Sequence, residues 1–108
     1  MPDVRFDTYY RYDDLTRLLR AYADEHPGLV RLSSIGKSFE GRDIWLVTVT
    51  AAASGGDREK PALWVDGNIH ATEVSTSSAV LYLLDTLVKG YGTDPDVTRC
   101  LDTRVFYL

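Results

Sequence analysis

Apolar residues recur every three or four positions between residues 13 and 25. Leu15, Leu18, Leu19 and Tyr22 share one face there, and Asp13 and Asp14 stand at the start. This spacing predicts an amphipathic helix over 13–25, halted by His26-Pro27-Gly28. Beyond it the period shortens. Residues 29–35 alternate loosely, while 44–50 form a β-branched run that is apolar on both faces. Together they predict a hairpin around the turn-like segment 36–42, with its second strand well buried.

Ser54-Gly55-Gly56-Asp57 and three further charges make 51–60 an exposed connector. Pro61 then opens a strand over 62–66 that ends at Gly67-Asn68. Val80, Leu83, Leu84, Leu87 and Val88 mark a second helix, with Gly90 as its stop. A loop over 91–96, a short helical turn over 97–101 and a strand over 103–108 complete the pattern. Strands and helices in this order predict an α/β fold, a mixed sheet with flanking helices. The last strand, Arg104 to Leu108, is apolar with no polar tail after it, so the expectation is an exposed terminal strand able to drive self-association by edge pairing.

Composition trims the possible functions. The chain has 108 residues, 44% apolar, with 26% charged and a net charge of -4. That balance disfavours nucleic acid or an anionic membrane surface as a partner. The longest apolar stretch is far below the ~18 residues that cross a bilayer. The first thirty residues mix charges throughout and lack the apolar run of a signal peptide, and localisation stays open. Cys100 is the single cysteine and has no internal partner for a disulfide. It reads as a half-buried apolar residue.

The segment Asp66-Gly67-Asn68-Ile69-His70-Ala71-Thr72-Glu73 stands where chemistry is expected, just past the end of a strand and at the start of a helix. A histidine and a glutamate three residues apart can converge on one metal, because imidazole nitrogen and carboxylate oxygen are both zinc donors. As a bare pattern this is weak. A loop histidine bonded to backbone and a first-turn acid interacting with the helix dipole would leave the same two letters. The other candidates have plainer readings. Gly36 to Gly41 lacks the order of a phosphate-binding loop and reads as a turn, His26 as a helix-end residue, and Trp45 and Trp64 as core.

Three stretches read together change the balance. They are Tyr12-x-x-Leu15, the run from His26-Pro27-Gly28-Leu29-Val30 through Ile35-Gly36-Lys37-Ser38-Phe39-Glu40-Gly41-Arg42-Asp43-Ile44, and Trp64 through Glu73. In content, order and separation they resemble the zinc carboxypeptidase family, the one that includes carboxypeptidase A. The resemblance covers residues 1–108 as the amino-terminal portion of the family's catalytic domain, roughly its first third. It implies the amino-terminal part of that fold, zinc as cofactor, His70 and Glu73 as two of three protein ligands, and a peptide substrate in the full-length parent. It also implies that the third ligand, the general-base glutamate and the residues holding the substrate's terminal carboxylate lie downstream, so the chain by itself is expected to be inactive and to bind zinc weakly.

One departure stands inside the motif. Many members of the family carry an arginine before the metal-binding glutamate, and here that position is Thr72. The substrate therefore stays open between a peptide and an acyl-amino-acid or peptidoglycan-like compound. Two other readings also stay open: a non-catalytic interaction module derived from this fold, and a related zinc amidase or deacylase. The segment 36–44 favours the carboxypeptidase branch over the latter.

Overall fold

Helix α1 (Tyr12–Glu25) carries Asp13 and Asp14 in its first turn and turns Leu19 and Tyr22 inward. The acids suit the positive end of the helix dipole. The chain then runs into β1 (Val30–Lys37) and back through β2 (Asp43–Val49). These pair antiparallel from Val30↔Val49 to Lys37↔Asp43, with an irregularity between Ser34 and Lys37. The expected hairpin is present, and its loop is closed by Ser38 and Gly41, the latter at φ 81°, a conformation that favours glycine. The burial of β2 is confined to Val47, Thr48 and Val49 at its carboxyl end. The fold comes from a computed structural model and is described for residues 2–108.

The connector after β2 is not wholly irregular, since it holds two short 3-10 turns, Ala52–Ser54 and Asp57–Glu59. Lys60 fastens it down. Its ammonium donates to Thr50 Oγ1 at 2.8 Å, to the Ala51 carbonyl at 2.9 Å and to Ser54 Oγ at 2.8 Å. Strand β3 (Ala62–Trp64) follows, then α2 (Val74–Gly90), α3 (Pro95–Thr103) and β4 (Val105–Tyr107). The expected single turn over 97–101 is thus a nine-residue helix. Asp94 caps it by accepting from the Asp96 and Val97 amides, and Pro95 occupies its first turn, an arrangement pre-set for a helix start.

The four strands lie in the order β1-β2-β4-β3, so the sheet is mixed: β4 runs antiparallel to β2 and parallel to β3. Two expectations are corrected here. β4 is not an open edge, because β2 and β3 flank it and Val105 is fully buried. The free edge at that side of the sheet is β3. For the same reason Trp64 is not a core residue; it is 56% exposed on that edge strand, its indole N–H donating to Asp66. Trp45, on the inner strand β2, does pack against the core and donates to Thr16 of α1 at 2.9 Å.

The core lies between the sheet and the helices. Tyr22, Leu84, Leu101, Val49 and Val105 are its largest fully buried side chains. In α2 the inward residues are Leu81, Leu84, Asp85, Leu87 and Val88. Among the described residues no helix is long and apolar enough to cross a membrane.

Candidate metal centre

β3 ends at Trp64 and α2 begins at Val74, so the segment between them is a loop at the carboxyl end of a sheet strand. Two features shape its first half. Gly67 is pressed against α2: a Cβ there would lie 2.9 Å from the Thr76 carbonyl oxygen and 3.1 Å from Val80. Backbone met at that distance shifts only at a cost, so glycine is the residue that fits without strain. Asn68 follows at φ 62°, a left-handed conformation that Asn tolerates better than most residues. This pair turns the chain sharply and aims residues 69–73 across the start of the helix.

His70 and Glu73 come together as the sequence predicts. Imidazole Nδ1 lies 3.1 Å from Glu73 Oε2, and the Glu73 amide donates to the His70 carbonyl at 3.0 Å. The carboxylate's other oxygen accepts from the His70 amide at 3.4 Å. Glu73 occupies the N-cap position of α2, where its negative charge meets the positive end of the helix. Both side chains face solvent, His70 at 74% and Glu73 at 42% exposure.

The donor set suits zinc as far as it goes. Two ligands on a tetrahedral zinc at 2.0–2.1 Å stand about 3.3 Å apart, close to the 3.1 Å seen between Nδ1 and Oε2. The same distance serves as an N–H···O hydrogen bond, so the spacing suits a shared ion once Nδ1 carries no proton. Among the described residues no group of three or more His, Cys, Asp or Glu side chains converges on one point. The pair can therefore fill two of an ion's usual four positions. Thr72, beside Glu73, is exposed and uncharged.

The sequence reading missed the residues that hold the loop in place. Thr76 Oγ1 accepts from the Asn68 amide and donates to the Glu73 carbonyl at 2.7 Å. The Gly67-Asn68 dipeptide signalled a turn, but nothing in the spacing named Thr76 as its anchor. Next to the loop, a cavity of about 90 Å³ is bounded by Tyr10, Leu15, Asn68, Val74, Ser77 and Leu81.

Imidazole and carboxylate thus stand side by side on a strand-end loop leading into a helix of a mixed α/β sheet, where α/β folds commonly place their ligands. Comparison with known proteins gives the class. The profile of the zinc carboxypeptidase family matches residues 15–108, and the chain belongs to that family. It is 35% identical to carboxypeptidase A2 of Rattus norvegicus over 106 residues, 98% of this chain and 24% of the relative. It is 31% identical to a zinc carboxypeptidase of Saccharothrix mutabilis subsp. capreolus over 100 residues, 93% of this chain and 23% of the relative. The fold superposes on the crystal structure of carboxypeptidase A from Helicoverpa armigera with a TM-score of 0.82 at 28% identity, covering 96% of this chain and 24% of that one. The chain spans about a quarter of the length of these two curated relatives.

Proposed function

We propose that His70 and Glu73 are two zinc ligands of a metallocarboxypeptidase that removes the carboxyl-terminal residue from a peptide. The observation that carries this reading is the 3.1 Å approach of His70 Nδ1 to Glu73 Oε2 at a strand end, in a chain of the zinc carboxypeptidase family. Held by His70 and Glu73, a zinc ion would supply polarisation of the scissile carbonyl and activation of a water.

The chain's own residues hold and orient. Gly67 and Asn68 bend the loop, and the His70 carbonyl, accepting from the Glu73 amide, fixes the spacing of the two donors. Thr72 brings no charge to the site, so it could not form an ion pair with substrate and could meet it only through its hydroxyl, its methyl or its backbone. With two protein donors, zinc affinity is expected to be weak, and hydrolysis by the 108-residue chain alone is expected to be absent.

Zinc titration by calorimetry tests the ligand assignment. The wild type is expected to bind weakly, and His70→Ala and Glu73→Ala to lose at least about tenfold in affinity. Equal heats and affinities for wild type and His70→Ala would remove His70 as a ligand. Incubation with zinc and a panel of blocked dipeptides tests the second expectation; turnover that survives repurification and disappears in Glu73→Ala would defeat it.

A further inference from the structure

We infer that Thr76 is the positioning residue of the metal pair, its hydroxyl locking the loop that carries His70 to the helix that carries Glu73. The inference rests on the zinc-ligand reading above. Thr76 uses both capacities of a hydroxyl: its one hydrogen goes to the Glu73 carbonyl at 2.7 Å, and its lone pairs accept the Asn68 amide. The Thr76 amide also donates to the Glu73 carbonyl at 3.1 Å. The span between these two anchors is residues 69–72, with His70 inside it and Glu73 at its end.

A threonine in the first turn of a helix often bonds back to a nearby carbonyl, and that habit by itself would account for the bond to Glu73. It does not account for the bond to Asn68, eight residues earlier and outside the helix. Asn68 holds a left-handed backbone at φ 62°, and its amide is pinned in that conformation by Thr76. One residue before, Gly67 lies so close to the Thr76 carbonyl that a side chain there would fit only with strain. Two consecutive loop residues therefore lie close against this one helix residue. Release of the hydroxyl frees the turn that aims His70 at Glu73, while the helix and the core behind it keep their other contacts.

Substitution separates the hydroxyl from the shape of the side chain. Thr76→Val keeps the branched form and loses both hydrogen bonds, whereas Thr76→Ser keeps the hydroxyl. Zinc alone is titrated by calorimetry into the 108-residue wild type, Thr76→Val, Thr76→Ser and His70→Ala, and exchange of the Asn68 amide is followed by NMR in each. Residues that orient metal ligands contribute about 10- to 100-fold to affinity. Thr76→Val is thus expected to weaken zinc at least tenfold and to speed exchange at Asn68, with the thermal transition still cooperative. Thr76→Ser is expected to stay close to wild type in both measurements. Wild-type zinc affinity in a folded Thr76→Val, or failure of Thr76→Ser to rescue, overturns the positioning role while His70→Ala still marks the ligand. Unchanged binding in His70→Ala, or no zinc binding in the wild type, removes the ligand reading and the positioning role together.

Discussion

The Tyr22 hydroxyl, on α1, donates a 2.6 Å hydrogen bond to the carboxylate of Asp85, on α2, 63 positions further along the chain. Tyr22 is fully buried and Asp85 is 5% exposed. The second carboxylate oxygen accepts from the Lys89 ammonium at 2.8 Å, one helical turn on. A charge set among Leu81, Leu84 and Val88 is tolerated because both of its oxygens have partners. Burial first, and then the bond to Asp85, push the Tyr22 phenol well above its ordinary range.

Removal of that hydroxyl leaves one carboxylate oxygen buried without its donor. Tyr22→Phe is expected to destabilise the fold by about 1.5–3 kcal/mol, the range for hydrogen bonds to charged groups. Urea unfolding at neutral pH measures it. A loss below about 0.5 kcal/mol would mean that water reaches Asp85 and that the pair does not join the helices energetically.

Gly67→Ala tests the close approach of the loop to α2. The new Cβ meets the Thr76 carbonyl oxygen at 2.9 Å, so the loop must move outward. The expected cost is about 1–3 kcal/mol, as for other overpacked sites. Because the same loop carries His70, weaker zinc binding should accompany the loss of stability. Full stability in Gly67→Ala would show that the loop is free to shift.

Asp57 supplies a pH dependence. Its carboxylate accepts from the Tyr107 hydroxyl at 2.6 Å and lies 3.4 Å from the Arg31 guanidinium. The Tyr107 bond, with the charge of Arg31 added, holds its titration below the usual carboxylate range against the opposing effect of burial. A carboxyl group lowered on folding contributes its stability in full above its unfolded value, about 3.9, and loses it as pH falls through the lower folded value. Asp57→Asn should therefore be less stable than wild type at pH 6, and the gap should close on acidification below about pH 4. Denaturant midpoints at several pH values decide this, and a gap independent of pH would defeat it.

The edge strand β3 carries the expectation of self-association, in place of β4. Leu63 and Trp64 are 52% and 56% exposed, they point to opposite faces of the sheet, and among the described residues no strand lies beyond β3. Apolar edges of this kind pair readily. The chain is expected to self-associate at low micromolar concentration in sedimentation, and Leu63→Lys to shift it toward monomer. A compact monomer in the wild type would count against the idea.

Residue order alone determined much of this protein. The helix over 13–25, the hairpin and the strand–loop–helix that presents His70 and Glu73 were all legible, because each rests on local periodicity and on turn residues a few positions apart. The juxtaposition of His70 and Glu73 is equally local, three residues at the start of one helix. What the tertiary structure decided is everything that depends on neighbours far along the chain. An apolar strand reads alike at an edge or in the middle of a sheet, so only the order β1-β2-β4-β3 could bury Val105 and leave Trp64 exposed. Asp85 reads as a surface residue until Tyr22 arrives from α1 to satisfy it. Thr76 reads as an ordinary first-turn residue until the left-handed turn at Asn68 brings a loop amide to its hydroxyl. Partners for buried polar groups come from the packing of distant segments, and one-dimensional spacing does not encode which segments meet.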